Sequence, residues 1–457
     1  MKYFSIILIF AVSVSSCSVT KNYTPQTSVQ EKLYRDNTDN DTTSLGTLSW
    51  TQIFTDPELK KLINEGIANN PQILQAYTRI NQAQAYYEQS GAAFLPSLNA
   101  NAGTTFAHLS DYQAPGIRSA TQFQLGVNSV WELDIWGKLK SSRKAQFANL
   151  LQSQAGMRAV QTSVVSSIAL FYYNLLALDE QLKITQQTVY NWDTTVTTLK
   201  ALKEAARVTE AAVVQSEAQR YAAEVTIPDL KQKIAETENA LSILIGRPPS
   251  EILRSSIYLQ QEPTEIKTGT PVLLLSNRPD VQQAEYNLRY YFEMTNVAKT
   301  YFYPSLNISG SAGMNSLKIE NLFNPAAFTA SIGAGLAQPV FNNKLNKTRL
   351  KVSEAQQQDA LINFHNILLT AGSEVSNAMS LYQTSKDKSE IRNKQIDALQ
   401  KAVDYTGELL ENGFATYTEI ITARQSLLQA ELGRINDRLQ SLTAIVNLYK
   451  ALGGGWK

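Results

Sequence analysis

Four stretches of the chain alternate apolar and polar residues with a period of two. In the first, Leu98, Ala100, Ala102, Thr104 and Phe106 alternate with Asn99, Asn101, Gly103 and Thr105. The second sets Phe123, Leu125 and Val127 against Gln124, Gly126 and Asn128. The third sets Leu306, Ile308, Gly310, Ala312 and Met314 against Asn307, Ser309, Ser311, Gly313 and Asn315. The fourth sets Phe328, Ala330, Ile332, Ala334 and Leu336 against Thr329, Ser331, Gly333 and Gly335. Each stretch is about ten residues long, which is the length and pattern of a membrane-spanning barrel strand with one face toward lipid and one toward water. A single such hairpin would equally suit the surface of a soluble core. Two copies, with Phe94, Trp131, Trp136, Tyr301, Phe302 and Tyr303 at the strand ends, favour the barrel. Both ends of each hairpin lie on one side, so these aromatics would share one membrane interface. Four strands cannot close a barrel, and open edges in lipid cost several kcal/mol per unpaired backbone group. The strands predict a barrel shared between protomers.

Elsewhere the period changes to three and four. From Lys138 to Leu202 there is no proline and one interior glycine, Gly156; a helix of that length spans ~95 Å. Its partner runs from about Lys344 to Leu410. One seam is Val164, Ile168, Phe171, Leu175, Leu178 and Leu182. Another is Leu361, Phe364, Leu368, Ala371, Val375, Ala378 and Tyr382, and a third is Leu428, Leu432, Ile435, Leu439, Leu442, Val446 and Tyr449. These seams predict coiled-coil packing of very long helices. Asp56-Pro57 opens a shorter helix, with a capping side chain and proline at the first helical position. Pro228 predicts a bend in the helix that returns in the first half.

The two period-two hairpins are copies. Phe94-Leu-Pro-Ser-Leu-Asn99 returns as Phe302-Tyr-Pro-Ser-Leu-Asn307, 208 residues later. Pro71 and Pro279 keep that spacing; Lys138-Leu139 and Lys344-Leu345 lie 206 apart, and Ile245-Gly246 and Leu452-Gly453 lie 207 apart. Each half therefore reads helix, strand, strand, very long helix, turn, long helix, and the fold is internally duplicated.

Composition narrows the function classes. Among 457 residues, 41 basic side chains balance 40 acidic ones, which does not favour a nucleic-acid partner. Mean hydropathy is −0.22, too polar for a helical membrane protein. There are two histidines, His108 and His365, and one cysteine. HExxH, CxxC and GxxxxGK[ST] do not occur, so an enzyme, a metal centre and a cofactor are not expected. His365 follows an expected core phenylalanine and reads as structural, and the five methionines form no ladder for soft metal cargo. Lys2 and the apolar run Phe4 to Val14 read as a secretory signal. The run ends in Val14-Ser15-Ser16-Cys17, which resembles a bacterial lipobox with Cys17 as the lipidated first residue. Ser18 is compatible with outer-membrane sorting. Residues 18–49 read as an extended polar arm.

The ordered set of motifs resembles the TolC-like outer-membrane factors, in particular the lipoprotein branch that works with resistance-nodulation-division pumps. The opening Trp50-x-x-x-Phe54-x-Asp56-Pro57 with Asn69-Asn70-Pro71, the junction Trp131-Glu-Leu-Asp-Ile-Trp136-Gly-Lys138, the close Leu244-Ile-Gly-Arg-Pro-Pro249, the restart Arg278-Pro-Asp-Val281, and Asn412-Gly413-x-x-x-Tyr417-x-Glu419-Ile-Ile421 carry it. The resemblance implies a mainly α fold with a small membrane β-barrel contribution: a homotrimer with an α-helical tunnel and a shared 12-stranded barrel. It implies a signal peptide (1–16), a lipidated arm (17–55), a first repeat (56–249, strands about 97–107 and 122–131), an equatorial linker (250–278) and a second repeat (279–457, strands about 305–315 and 327–337). Residues 18–55 and 250–278 would form the mid-tunnel belt. The implied function is a passive outer-membrane duct for small molecules in a tripartite efflux system, lipid-anchored with a long periplasmic portion. Its implied partners are a periplasmic adaptor, an inner-membrane pump of the resistance-nodulation-division type and outer-membrane lipid. A duct for type I protein secretion, or a non-conducting envelope-spanning coiled-coil lipoprotein, are the alternatives. The resemblance places the gate at Glu419, Tyr417 and Thr422, and adaptor docking at Arg207, Thr209 and Gly413. It places Phe94, Trp131, Trp136, Phe302 and Tyr303 at the membrane interface. Glu419 would line a constriction, with Ala212 as its counterpart in the first half. Thr422 and Ala415 stand where some members carry a second acid and a basic lock residue.

Overall fold

In a computed structural model, the structure describes residues 19–25, 33–35, 44–108, 110, 112, 119–263 and 267–457. The signal region and Cys17 lie outside the described residues. The chain divides into two compact units, one holding 19–25 and the described residues of 79–154 and 283–365, the other 33–35, 44–78 and the described residues of 155–282 and 366–457.

The first unit carries one four-stranded antiparallel sheet in the order β1-β2-β3-β4. Its strands are β1 (Ser97–His108), β2 (Ser119–Leu133), β3 (Ser305–Ser316) and β4 (Phe328–Ala337). β2 is longer than its alternation suggested, because it pairs with β1 along one edge and with β3 along the other. The register sorts the side chains by face, since directly opposed residues share one. Ala100, Val127, Ala312 and Ala330 form one row, and Ala102, Leu125, Met314 and Phe328 the next but one. On the other face run Asn99, Asn128, Ser311 and Ser331, then Asn101, Gly126, Gly313 and Thr329. The Ser311 and Ser331 hydroxyls are 2.8 Å apart, and Gln122 Nε2 donates to Asn315 Oδ1 at 2.8 Å.

The same unit holds part of α3 (Pro71–Ala92), the start of α4 (Lys138–Glu204), α8 (Pro279–Thr300) and the start of α9 (Leu345–Glu411). Residues 19–25 lie along α8. Asn296 Nδ2 donates to the Lys21 carbonyl and its Oδ1 accepts from the Lys21 N–H, at 2.9 and 3.1 Å. Tyr23 meets Phe292 edge-on at 5.4 Å.

In the second unit α1 (Trp50–Ile53), α2 (Pro57–Asn69), the long helices, their returns and the short α7 (Leu274–Asn277) surround an apolar interior. Leu59, Ile63, Ile168, Leu175, Leu241 and Ile245 are fully buried there. Gly66 admits the Ile168 side chain, whose Cδ1 lies 2.4 Å from where a Cβ would stand. The seams hold at Phe364, Leu368, Ala371, Val375 and Ala378 and at Ile435, Leu442, Val446 and Tyr449. Phe171 is a correction: it is only half-buried, and the neighbouring Tyr172 takes the core position. The hydroxyl decides this, because Tyr172 Oη donates to Asp56 Oδ2 at 2.8 Å. His365 is exposed beside the buried Phe364.

α4 and α9 each run 67 residues without interruption, and α10 (Tyr417–Ala451) is continuous over 35. The return of the first half breaks instead into α5 (Glu210–Glu224) and α6 (Thr226–Leu244). The break falls at Val225, three residues before Pro228, because the proline ring clashes with the carbonyl four residues upstream.

The duplication anchors prove to be each other's partners. Asn70 Nδ2 donates to the Leu244 carbonyl at 2.7 Å, and Arg278 Nη1 donates to the equivalent Ala451 carbonyl at 3.0 Å. Gly246 (φ +80°) and Gly453 (φ +84°) follow those helix ends in the left-handed region, and a Cβ on either would lie 2.4 Å from the carbonyl oxygen of Asn69 or Asn277. Glycine is required at both for conformation and for space. Within this unit residues 44–56 pack with the 250–278 segment: the Leu45 N–H donates to the Lys267 carbonyl, and Asp56 meets Ser255 and Gln260.

Candidate functional site

The duct expected from the sequence would act through its walls and its ends, so three places matter: the sheet, the strand-to-helix junctions and the helical hairpin tips. The rows of the polar sheet face from Asn99 to Asn315 are Asn, Gln, Ser, Thr and Gly, without a charge. Glu132 ends that face and is held by Lys138 Nζ, 3.0 Å from both carboxylate oxygens. At Gly126 and Gly313 the β2 and β3 backbones close together; a Cβ on Gly313 would lie 2.4 Å from the Leu125 oxygen. The outer edges of β1 and β4 have no strand partner among the described residues.

The structure brings the aromatics of the strand ends together. Trp131 Nε1 donates to the Phe94 carbonyl at 2.8 Å, tying the end of β2 to the entry of β1. Trp136 Nε1 donates to the Pro304 carbonyl at 2.7 Å, and its ring tilts against Tyr303 at 5.0 Å. Phe302 and Tyr303 are 41% exposed, so they present rings outward while belonging to the junction. Asp134 accepts from the N–H groups of Leu139 and Lys140 at 2.9 and 2.8 Å, satisfying orphan donors at the start of α4.

Both hairpin tips lie in the second unit and share one geometry. After α9, Gly413 takes φ +81° and the Phe414 N–H donates to the Leu409 carbonyl at 2.8 Å. After α4, Ala206 takes φ +55° and the Arg207 N–H donates to the Leu202 carbonyl at 2.8 Å. Ala206 is thus the counterpart of Gly413, which sequence reading missed because alanine is not a signal for the left-handed region. The two tips pack on one another: Leu199, Ala212, Val213, Leu410 and Ile420 form a buried cluster, flanked by Leu202, Val208, Ala415 and Tyr417. Tyr417 also packs against Trp192, Ala223 and Ile421, so its ring joins two hairpins. Arg207 is exposed and its Nη2 lies 3.1 Å from where a Gly413 side chain would start, while Thr209 is the exposed N-cap of α5.

Glu419 has a structural task. Its Oε2 accepts from the Thr416 N–H at 3.1 Å, completing a capping box at the start of α10. Thr422 turns its hydroxyl to the Thr418 carbonyl at 2.9 Å. Phe414, not singled out from the sequence, is 82% exposed at the tip. The buried groups above the tip also went unread. Arg424 Nε is enclosed without a hydrogen-bond partner among the described residues, and burial pushes the Glu431 carboxyl up, against the pull of Arg434.

A family model described as outer membrane efflux protein matches residues 62–247 and 270–454. The chain belongs to this family. The two matched segments are the two copies of the duplication. Among relatives of this outer membrane efflux protein, the probable outer membrane lipoprotein SilC of Salmonella typhimurium is 26% identical over 89% of this chain and 88% of its own. The cation efflux system protein CusC of Escherichia coli O6:H1 is 26% identical over 98% of this chain and 97% of its own. In fold, the outer-membrane channel OprN superposes with a TM-score of 0.88 at 22% identity, over 96% of this chain and all of that one. The protein is an outer-membrane efflux channel with a TolC-like fold, a component of an efflux system.

Proposed function

We propose that three copies of this efflux channel join their four-stranded sheets into one twelve-stranded barrel, continued by twelve helices into a periplasmic duct for small molecules. The observation that carries this reading is the sheet itself. It is amphipathic, open at both edges and polar on one face, a combination that lipid tolerates only if the edges find partners. The uncharged polar face suits a passage that does not sort cargo by charge, leaving selection to an inner-membrane pump of the resistance-nodulation-division type reached through a periplasmic adaptor. The exposed Arg207, Thr209 and Phe414 around Gly413 supply the adaptor-facing tip. The lipobox cysteine supplies an anchor. Thr20 lies against Gly137 at the junction of β2 and α4. Detergent-purified protein is expected to have the mass of a trimer and to form stable single channels in planar bilayers. A monomer without conductance would overturn the proposal.

The same tip is the proposed gate, and Glu419 acts there by fixing the start of α10. Glu419→Ala removes the carboxylate half of the capping box and leaves the Thr416 N–H without that acceptor, and is expected to raise resting conductance. Glu419→Gln keeps the capping box without the charge and is expected to leave resting conductance near wild type. Equal current increases in both variants would make the charge, rather than the cap, the working feature.

A further inference from the structure

The junction between strands and helices has a charge pattern that neither the barrel nor the duct requires. Over residues 132–144, 299–304 and 338–351 there are nine lysines and arginines against Glu132 and Asp134, in a chain whose totals balance at 41 basic and 40 acidic. Both acids are committed, Glu132 to Lys138 and Asp134 to the N–H groups that open α4. Within this basic belt lies a cavity of ≈ 350 Å³, lined by these same Glu132 and Asp134 and by Trp136, Lys138, Tyr301 and Arg349 among others. The Tyr301 ring has Arg349 Cζ 4.4 Å from its centre and Lys138 Nζ 5.2 Å from it. Arg349 is exposed, and among the described residues it has no carboxylate within ion-pair distance. Beside the cavity the chain leaving β4 presents Leu336, Val340 and Phe341 at 67, 99 and 84% exposure. A head-sized cavity in which both carboxylates are already partnered and the Arg349 guanidinium is not, flanked by bare apolar side chains at the end of a membrane sheet, matches an amphiphile with an anionic head.

We propose that this cavity binds the phosphate of an acidic phospholipid in the periplasm-facing leaflet, with Arg349 holding the phosphate and the acyl chains lying along Leu336, Val340 and Phe341. The proposal rests on the reading of the sheet as the membrane segment. A guanidinium fork matches phosphate oxygens two at a time, and a clustered basic segment next to a membrane attracts acidic lipid generally. The lined cavity adds a defined seat to that diffuse attraction. Arg349 is already oriented by its stacking on Tyr301, so little side-chain freedom is lost on binding.

Native mass spectrometry of the full-length, detergent-purified protein, titrated with dioleoyl-phosphatidylglycerol or dioleoyl-phosphatidylcholine, tests the site without reference to conductance. The wild type is expected to retain phosphatidylglycerol about tenfold or more in preference to phosphatidylcholine. Arg349→Ala and Arg349→Gln are expected to lose that preference. Lys347→Ala, which removes one charge of the belt outside the cavity lining, is expected to keep it. Equal retention of the two lipids by the wild type, or equal loss in the Lys347 and Arg349 variants, would overturn a defined seat. Displacement of phosphatidylglycerol by an equal concentration of inorganic phosphate would make this a free-anion site and overturn the lipid assignment. Should channel formation itself fail, the lipid preference would still be read from the same spectra.

Discussion

Asp56→Ala is expected to lower the stability of the helical unit by about 2–4 kcal/mol, measured by chemical denaturation of purified protein. The carboxylate is 8% exposed and is the hub of a buried network. Oδ2 accepts from the Tyr172 hydroxyl at 2.8 Å, from Gln260 Nε2 at 2.7 Å and from the Ser255 hydroxyl, while Oδ1 accepts from the Glu58 N–H at 2.8 Å. It therefore caps α2, orients a core tyrosine of α4 and holds the 250–263 segment at once. Alanine removes the shared acceptor of three side-chain donors, leaving Tyr172 and Gln260 only their contacts with Ser255 and the Ser256 carbonyl, in addition to the lost cap. The pH dependence follows. Burial alone would raise the Asp56 carboxyl, but the hydrogen bonds from Ser255, Gln260, Tyr172 and the Glu58 N–H more than offset it, and the group sits below its ordinary value. A folded-state pKa below the unfolded one gives stability that is complete above about pH 4 and is lost as pH falls through the folded value. Asp56→Asn, which keeps the shape without the ionisation, is expected to show a shallower acid limb than the wild type. Identical acid limbs would show that Asp56 does not carry this dependence.

The second large effect is expected in the sheet. Gly313→Val places a Cβ 2.4 Å from the Leu125 oxygen and 2.6 Å from Gly126 Cα. Both obstacles are backbone, so no side chain can swing away, and β2 and β3 must part where they pair. The expected result is a drop of about tenfold or more in folded protein recovered from the outer membrane, equivalent to roughly 1.4 kcal/mol or more, read by protease protection of the membrane fraction. Gly335→Val on the same face of β4 has nothing within 4 Å of its new Cβ and is the control, expected to assemble. Normal recovery of the Gly313 variant would mean that the close approach of β2 and β3 is not required.

These two sites mark the limit of what the sequence discloses. Period-two alternation located the four strands, and the seams located the long helices, because both patterns follow from which face meets water. The duplication gave the order of elements and the positions of its own anchors. It could not say that Asn70 reaches Leu244 or that Gly453 seats on Asn277, since contacts 174 and 176 residues apart leave no local pattern. The same blindness hid Asp56: as a cap before Pro57 it was legible, as the acceptor for Tyr172, Ser255 and Gln260 it was not. At the tips, Gly413 advertised its turn and Ala206 did not. Glu419 drew attention as a charge, whereas its carboxylate closes the capping box with Thr416. Arg349 went unnoticed because a lone arginine on a helix is ordinary; its meaning comes from Tyr301 and the cavity beside it.

The central claim is that the free edges of β1 and β4 meet between copies of the chain. Cysteines placed one at a time at Asn99, Asn101 or Gly103 of β1, each combined with a cysteine at Ser331 of β4, test it directly in native membranes, where Cys17 is the sole other cysteine. All four positions lie on the polar sheet face, and a disulfide forms only when two Cβ atoms approach within about 4.5 Å. For at least one pair, oxidation is expected to give covalent dimers and trimers on denaturing gels, absent from each single-cysteine variant. Membrane-inserted, correctly folded protein that stays monomeric for every pair, whether unlinked or closed within one chain, would contradict a barrel built from three sheets.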